Sequence, residues 1–571
     1  MLDIDLMLSK CGDFHRYQWL LLGLFCVINI LSAMQYYSQT MISFVPNHWC
    51  FNNPPAEKVP FIEDLRLLQN NNYSCFPVDQ LLIDHNNDVS SSRQLRHHDA
   101  AKPNNFTCSE WIYDHDYGYI SMTSELNWIC NDAWKSFLGQ SMFFVGSVFG
   151  TLIFGILADK VGRLPILVIV YLISFLGNIL TIFATDVDLF SLCRLIAGMA
   201  TDSNFVLMYI LGKVTHILRR NFLYLILCFI VMEYIRPSMR TFGLNICIGV
   251  FYCLGSMITP WIAASLGDWK LFLLAVAIPS LLVPTFYFLI PESAQWLISK
   301  QKIDEAIKSF QKIAKLNSKV LDPVTIEEFR ENAKNIHKIN DTENVNLLSL
   351  FKTPRLRKNT LILFFKSMVI TLCYDAISKN VEGLGLSPFV MFTLSSATIL
   401  PACLVLLALQ DKIGRKAMAS SSLFVSGIFT AATGIAIVYQ QEKRDPVLLA
   451  SLAMLGRFGV TVAYNSGAQY AAELIPTCVR AQGVSAAHVA GYALTFFSSY
   501  ILYTGNFFLA LPPLILGGLS IAGAFLCLLL PETLNRPTPV TLEDGENFGK
   551  DEPIFYFSCF EKPTESNTNL S

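Results

Sequence analysis

The chain has 571 residues, of which 53% are hydrophobic and 15% are charged, and its formal net charge at pH 7 is −2. The apolar residues gather in runs of about twenty, the length that spans the hydrocarbon core of a bilayer. This composition predicts an all-α, polytopic membrane protein whose surroundings are the lipid bilayer. The nearly neutral net charge gives no reason to expect a nucleic-acid partner.

The start of the chain lacks the basic, apolar and small-residue pattern of a cleaved signal peptide. Acidic Asp3 and Asp5 come first, and a span is predicted from about 17 to 39. We therefore expect the first helix to be a retained signal anchor. Its far end carries the pair Tyr36 and Tyr37, which suits either the aromatic belt at the membrane interface or a binding pocket.

A long polar loop, 41–135, follows this span and has the composition of an extracellular or lumenal loop. Its cysteines are Cys50, Cys75, Cys108 and Cys130, and the acceptor asparagines of its two glycosylation sequons are Asn72 and Asn105. Cysteines and sequons together indicate an oxidising compartment and two disulfides, whose pairing the sequence leaves open. Four free thiols are the alternative.

Eleven further apolar runs bring the prediction to twelve spans with both termini in the cytosol. They are 137–157, 166–185, 190–210, 244–264, 271–290, 361–379, 388–409, 417–439, 448–471, 484–503 and 507–530. A Lys-rich segment between the sixth and seventh spans lies in the cytosol by the positive-inside rule. The expected parts are a cytosolic N-terminus (1–16), a six-helix bundle (17–290), a cytosolic linker (291–360), a second six-helix bundle (361–530) and a disordered cytosolic tail (531–571).

Three short motifs occur once in each half of the chain, which predicts a six-plus-six repeat. One is a loop of sequence Asp-Lys-x-Gly-Arg between two spans. Another places Arg seven residues after Glu, and the third, Pro-Glu-Ser or Pro-Glu-Thr, closes the last span of its half. The copies are Asp159, Gly162 and Arg163 with Asp411, Gly414 and Arg415; Glu233 and Arg240 with Glu473 and Arg480; and 291–293 with 531–533.

These loops resemble the signature of the major facilitator superfamily, which implies a fold of two six-helix repeats. The cysteine-rich first loop and the segments 291–297, 353–357 and 473–480 are together similar to the organic cation, carnitine and organic anion transporters of solute carrier family 22. The start of the chain and the segment 44–50 look most like insect members that carry β-alanine or carcinine. The resemblance covers residues 10–535 and implies alternating access and a plasma-membrane location.

The resemblance also implies that the repeated charged loops are gates. Each Asp-x-x-x-Arg loop would pair with charges on neighbouring helices, among them the Glu-x6-Arg loops, and would lose those pairs when the halves rock. From the residues alone, the alternative is that these charges only cap helices and anchor them at the membrane interface.

Charged side chains inside the spans are the candidates for substrate recognition, because a charge in the bilayer core is costly and usually functional. Asp375 and Lys379 lie four residues apart on one helix face, where they can neutralise each other or jointly hold a zwitterion. Arg194 and Lys366 are predicted nearer to span ends and would snorkel to the interface. The other candidates for the binding site are Tyr37, Tyr374, Arg457, His488 and Tyr492.

The position twelve residues after Arg480 departs from the family's pattern. Cation transporters of the family tend to carry Asp there and anion transporters Arg, whereas this chain carries Tyr492. Neither rule for charge selectivity therefore transfers, although a phenol can hold an ammonium by cation–π contact and hydrogen bonding. The resulting hypothesis puts the cationic end of an amine or amino-acid-like substrate near Asp375 and Tyr374, and any carboxylate near Lys379 or Arg457.

An extra segment, 211–230, is the second departure. In the family, the fourth span leads almost directly into the Glu-x6-Arg loop, and the matching connection in the second half of this chain is shorter. We interpret the segment as a retained intron or a mispredicted exon, with an interfacial cytosolic helix as the alternative.

The expected function is secondary transport of a small organic cation or zwitterion, such as carnitine, β-alanine or carcinine, driven by a gradient of solute or of a coupling ion. The chain has no Gly-x4-Gly-Lys-Ser/Thr loop, so ATP hydrolysis is not expected. Its histidines show no metal-site or triad spacing, and neither an enzyme activity, a metal nor a cofactor is expected. The alternatives are a transport-inactive membrane protein or receptor, and an organic anion transporter.

Overall fold

The computed structural model of the chain consists of helices and one small sheet. It describes residues 7, 10–11, 16–51, 75, 108, 110–201, 240–292, 294–337, 347–380, 386–440, 445–476, 478–534, 536, 538–539, 541–550, 552–553 and 556. The sequons at Asn72 and Asn105, Glu233 and the extra segment 211–230 lie outside these residues, as do the side chains of Asp159 and Arg240.

The first half begins with helix α1 (Arg16–Ile42), which leads into an antiparallel hairpin of strands β1 (Asn47–Phe51) and β2 (Glu110–Asp114). A four-residue helix, α2 (Met122–Glu125), follows and is capped by the hydroxyl of Ser121, which accepts from the amide of Ser124. The next helices are α3 (Ala133–Val161), α4 (Arg163–Ile182), α5 (Val187–Met199), α6 (Arg240–Leu266), α7 (Trp269–Ala277) and α8 (Phe286–Leu289).

The second half repeats the alternation of long helices and short loops after a helical linker. The linker contains α9 (Ala294–Ser299), α10 (Ile303–Leu316) and α11 (Pro323–His337). The later helices are α12 (Pro354–Lys379), α13 (Pro388–Ala397), α14 (Ile399–Ile413), α15 (Arg415–Tyr439), α16 (Pro446–Leu474), α17 (Arg480–Thr495), α18 (Ser498–Tyr503), α19 (Leu511–Leu528) and α20 (Leu542–Asn547).

Within the described residues, nine helical segments are long and apolar enough to cross a membrane. They are Cys130–Ala158, Arg163–Ile182, Gly249–Leu266, Trp269–Leu289, Pro354–Lys379, Pro388–Ile413, Arg415–Tyr439, Pro446–Leu474 and Leu511–Leu528. They coincide with nine of the twelve predicted spans. Helices α1, α5 and α17 lie at the other three positions. The prediction of an all-α, polytopic membrane protein is therefore confirmed.

The helices pack mainly within their own half and meet across a narrower interface. In the first half α3 packs on α5 and α1 on α6, while in the second half α15 packs on α16 and α19. Across the interface α6 contacts α13 and α14, and α3 contacts α17 and α18. One buried apolar cluster contains side chains of both halves, including Tyr37, Phe144, Phe392 and Tyr492. Two of the predicted site residues, Tyr37 and Tyr492, lie in this shared cluster.

The polar loop is held by two disulfides, Cys50–Cys108 and Cys75–Cys130. The first joins strand β1 to the residues just before β2, and the second joins the loop to the region that precedes α3. These bonds fix the hairpin above the first-half helices and give the pairing that the sequence leaves open.

The C-terminal tail differs from the prediction. We expected residues 531–571 to be disordered, but the described part contains helix α20 with a capping box, in which Thr541 and Asp544 exchange hydrogen bonds. Its side chains Leu542 and Phe548 pack against the apolar cluster at the end of the second half. The prediction failed because it weighed the polar composition and did not consider apolar anchors spaced along the segment.

Candidate substrate-binding site and gates

Asp375 is the buried carboxylate at the interface between the halves. Its side chain is fully buried and forms an ion pair of 2.9 Å with Lys379, one turn further along α12. It also accepts a hydrogen bond of 2.5 Å from the Tyr36 hydroxyl on α1 and one of 2.7 Å from the Ser498 hydroxyl on α18. Both oxygens are thus occupied, and the contact with Tyr36 ties the two halves together in this conformation.

Arg457 is a buried cation whose partners are neutral. Its guanidinium donates to the Tyr374 carbonyl at 2.9 Å and to the Tyr37 hydroxyl at 3.1 Å, and its central carbon lies 4.1 Å from the centre of the Tyr374 ring. The Nε atom is buried without a hydrogen-bond partner. Among the described residues Arg457 forms no ion pair, so its charge is balanced only by dipoles and a ring face.

Tyrosines from both halves surround these charges. Tyr374 stacks on Tyr464 with ring centres 4.5 Å apart, and Tyr37 meets Tyr252 edge to face at 6.1 Å. Tyr36 packs on Tyr37 at 5.0 Å. Such a wall of ring faces and hydroxyls is chemically suited to an ammonium group. The sequence predicted Tyr37 and Tyr374 but missed Tyr252 and Tyr464, which only the packing of α6 and α16 against the site reveals.

The two predicted residues of α17 differ in their surroundings. Tyr492 is buried in the same apolar cluster as Tyr36 and Tyr37. His488 lies one turn earlier and is half-buried, and the described residues offer it no hydrogen bond or ring contact. The structure therefore brings Tyr37, Tyr374, Asp375, Lys379, Arg457 and Tyr492 together, and it leaves His488 at the margin.

Positive charge exceeds negative charge inside the described spans. Apart from Lys416 and Glu532, which meet at the start of α15, the buried charged side chains of the described helices are Arg194, Lys366, Lys379, Arg457 and the single carboxylate Asp375. Because a buried charge is costly without a counter-charge, this excess favours a ligand with an anionic group.

Arg194 and Lys366 do not snorkel, contrary to the prediction. Arg194 is fully buried, donates to the Asn178 side-chain oxygen at 3.0 Å and lies over the Phe143 ring. Lys366 is 1% exposed and donates to the Gly467 carbonyl at 2.9 Å. Both side chains find amide oxygens and ring faces inside the bundle, so they have no need to reach the interface.

An aromatic contact joins the second half to the polar loop and its neighbouring residues in the first half. Phe389, at the start of α13, packs edge to face on Phe44, Tyr117 and Tyr119, with ring centres 5.5 to 5.7 Å apart. Next to it, the Ser387 hydroxyl donates to the Asp116 carboxylate at 3.3 Å. Burial lowers the pKa of the neighbouring His115, which keeps that imidazole uncharged at neutral pH.

The repeated motifs meet at the junctions of α3 with α4 and of α14 with α15. The carboxylate of Glu292 accepts from the amides of Arg163 and Leu164 at 3.2 Å. Its counterpart Glu532 accepts from the amides of Arg415 and Lys416 at 2.9 and 3.2 Å. Each Pro-Glu motif thus caps the helix that follows the Asp-Lys-x-Gly-Arg loop of its own half.

The backbone positions that these capping glutamates approach must be glycine. Gly162 and Gly414 have φ angles of 123° and 102°, which other residues rarely adopt. A Cβ at position 162 would also lie 2.7 Å from the Glu292 carboxylate. The repeated glycine therefore serves both the backbone turn and the close contact with the glutamate.

The side chains of the second repeated loop form an ion-pair cluster. Arg415 pairs with Asp411 at 3.0 Å and with Glu473 at 3.1 Å. Glu473 also accepts from the Thr533 hydroxyl at 2.6 Å. Arg480, by contrast, donates to the carbonyl of Ile475 at 3.2 Å. In this half, the cluster connects the Asp-Lys-x-Gly-Arg loop with the Glu-x6-Arg loop and the Pro-Glu-Thr motif.

Comparisons with known proteins agree with this fold. The family described as "Sugar (and other) transporter" matches residues 90–539. The xylose transporter XylE from E. coli, in an inward-open conformation, superposes with a TM-score of 0.52 and 16% identity, covering 92% of this chain and 99% of that one. At this identity the similarity to XylE shows the fold alone.

Curated relatives are similar over most of their lengths. The organic cation transporter protein of Drosophila melanogaster is 29% identical over 556 residues, 96% of this chain and 95% of the relative. The organic cation/carnitine transporter 2 of Mus musculus is 30% identical over 439 residues, 76% of this chain and 73% of the relative. Solute carrier family 22 member 21 of Mus musculus is 28% identical over 81% of this chain and 78% of the relative.

The matched span, the two halves with repeated motifs and the similarity to these relatives lead to one assignment. The chain belongs to the sugar (and other) transporter family of the major facilitator superfamily, and within it to the organic cation and carnitine transporters of solute carrier family 22.

Proposed function

We propose that this transporter carries small organic zwitterions with a carboxylate and an ammonium group, and that it moves them by alternating access. The observation that carries the proposal is Arg457, a buried guanidinium to which the described residues offer no anionic partner, beside the ion pair of Asp375 and Lys379 at the interface between the halves. Carnitine and β-alanine, which carry both groups, are the candidates that the relatives and the sequence resemblance bring forward; carcinine has no carboxylate and serves as a comparison.

The carboxylate of the substrate would take the place of the missing counter-charge at Arg457. A guanidinium binds a carboxylate through two parallel hydrogen bonds, which are stronger than bonds to a neutral carbonyl or hydroxyl. The bond from Arg457 to the Tyr37 hydroxyl is the one that a carboxylate would replace, since Tyr37 belongs to the other half. Substrate binding would then change a contact between the halves.

The ammonium group of the substrate would lie among the tyrosines. In the present conformation Asp375 has no oxygen to spare, because Lys379, Tyr36 and Ser498 occupy it. The rings of Tyr252 and Tyr464 line the same wall and would hold the ammonium without displacing that network, whereas Arg457 already lies over the Tyr374 ring. This modifies the hypothesis drawn from the sequence, in which the cationic end lies near Asp375 and Tyr374.

During alternating access, the contacts that close the extracellular side between the halves would break, and other contacts would close the cytosolic side. The described contacts between halves include the Phe389 cluster and the bond between Ser387 and Asp116 on the extracellular side. The charged loops at the cytosolic ends, where Arg415 pairs with residues of its own half in this conformation, would make further contacts between the halves when the inner side closes. Cytosolic termini, a plasma-membrane location and coupling to a solute or ion gradient belong to the same proposal.

Uptake of labelled compounds distinguishes this proposal from two alternatives, an organic anion transporter and a transport-inactive protein. Cells that express the chain, with and without residues 211–230, are given labelled carnitine, β-alanine, carcinine and tetraethylammonium. The proposal predicts saturable uptake of carnitine and β-alanine, and little uptake of carcinine and tetraethylammonium, which have no carboxylate. Preference for tetraethylammonium would contradict the assignment of Arg457, and preference for simple carboxylates over zwitterions would favour an organic anion transporter. Absence of uptake by surface-expressed protein would favour the transport-inactive alternative.

A further inference from the structure

The described part of the C-terminal tail contacts the second half through a glutamate carboxylate, which lies at the start of helix α12. Glu546, in α20, accepts from the amides of Arg355 and Leu356 at 3.0 and 2.7 Å, in the first turn of α12. The Arg355 side chain in turn donates to the carbonyl of Lys550 at 2.9 Å. A carboxylate at this position is stabilised by the free amides of the helix start.

A second acidic side chain of the tail reaches the gate loop. Glu552 is 4% exposed and forms ion pairs with Lys416 at 3.6 Å and Arg536 at 2.9 Å. It also accepts from the amide of Glu532 at 2.9 Å, and Glu532 is the residue that caps α15 next to Arg415. The tail is thus linked to the same helix end as the Arg415 ion-pair cluster.

The docked segment also packs closely against apolar side chains of the second half. A Cβ on Gly545 would lie 2.7 Å from Pro476, in the loop that follows Glu473. Leu542 and Phe548 pack against the apolar cluster of α12, α16 and the loop after α16. We call residues 541–550 and 552–553 the C-terminal clamp. It spans the starts of α12 and α15 and the loop after α16.

Thr541, the first residue of the clamp, has an exposed side chain. Its side chain accepts from the Asp544 amide at 3.1 Å, and the Asp544 carboxylate accepts from the Thr541 amide at 2.9 Å. Acidic residues follow at 543, 544 and 546, a pattern that a kinase with a basic substrate groove would recognise. A phosphate on Thr541 would place about −1.5 to −2 charge beside these carboxylates and repel them.

We propose that the C-terminal clamp docks reversibly on the cytosolic gate of the second half, and that phosphorylation of Thr541 releases it. In the transfer, the Thr541 oxygen forms a bond to the γ-phosphorus of ATP while the bond to the β-phosphate oxygen breaks. The products are phosphothreonine, ADP and a proton. Release would free Lys416 from Glu552 and loosen the loop that carries Asp411 and Arg415.

Trypsin provides a direct measure of docking. From residue 531 onward the basic residues are Arg536, Lys550 and Lys562, and Lys550 is the one that proline does not follow, since Arg536 precedes Pro537 and Lys562 precedes Pro563. Cleavage there removes the last 21 residues, together with a C-terminal epitope tag. Purified full-length protein in detergent is digested briefly before and after treatment with ATP and an acidophilic serine/threonine kinase. Mass spectrometry reports phosphate on Thr541, and loss of the tag reports cleavage.

The proposal predicts that phosphorylation raises the rate of cleavage about tenfold, because cleavage follows the population of the open form. Thr541→Asn keeps a capping side chain, takes no phosphate and should stay slow with and without kinase. Glu552→Gln should be cleaved fast without kinase, whereas Glu543→Gln, the same change at an exposed side chain, should not. Wild-type protein that takes no phosphate on Thr541, or that is cleaved equally fast with and without it, overturns the proposal.

Discussion

Replacing Arg457 with glutamine is expected to lower uptake of a zwitterionic substrate about 30-fold, because losing a charge-assisted hydrogen-bond pair costs about 2 kcal/mol. The hydrogen-bond partners of the guanidinium are a neutral hydroxyl and a neutral carbonyl, so the change leaves no protein carboxylate without its counter-charge. Glutamine retains a donor that can reach one of these oxygens. The measurement is initial uptake over a range of concentrations in cells with equal surface expression.

The control for this prediction is a substrate analogue rather than a variant at a second residue. A decarboxylated amine that shares the ammonium end cannot contact Arg457, so its low uptake should change less than twofold in Arg457→Gln. The ratio between zwitterion and amine therefore isolates the carboxylate contact from general loss of transport. An equal loss for both compounds would show that Arg457 supports the structure and does not bind the carboxylate.

Gly150→Ala is expected to have the largest effect on stability. On helix α3, a Cβ at position 150 would overlap the carbonyl oxygen of Met199 at the end of α5. Gly146 and Gly198 make equally close backbone contacts between the same two helices. Overpacking usually costs about 1–3 kcal/mol, and main-chain atoms yield less than side chains, so the upper end applies. The measurement is the melting temperature of the detergent-solubilised protein, together with the fraction that reaches the cell surface.

Gly155→Ala is the matched control on the same helix. No heavy atom lies within 4 Å of a Cβ built at this position. Since alanine favours a helix over glycine by about 1 kcal/mol, this variant should be as stable as the parent or slightly more stable. Equal melting temperatures for Gly150→Ala and Gly155→Ala would contradict the close approach of α3 and α5.

The features that follow from hydropathy and from repeated motifs could be predicted from the sequence. Runs of apolar residues locate the spans because each must be long enough to cross the bilayer, whatever its neighbours are. The pair Asp375 and Lys379 was visible because a spacing of four residues places both on one helix face. Internal repetition of the Asp-Lys-x-Gly-Arg loop likewise needed no knowledge of packing.

Features that depend on contacts between distant helices could not be predicted. The sequence cannot show that Tyr36 and Ser498 occupy the oxygens of Asp375, because they come from α1 and α18. It also gives no reason to join Glu292 to the amide of Arg163, although both belong to repeated motifs. The tail was misjudged for the same reason, since docking of Glu546 depends on the free amides at the start of α12.

Exchange in liposomes tests the central claim most directly. Purified protein is reconstituted into vesicles loaded with a labelled zwitterion, and efflux is followed after unlabelled compounds are added outside. A carrier whose site holds a carboxylate at Arg457 predicts that outside zwitterion accelerates efflux, and that its methyl ester and the corresponding amine do not. Efflux that the amine and the ester accelerate as strongly as the zwitterion would contradict the account.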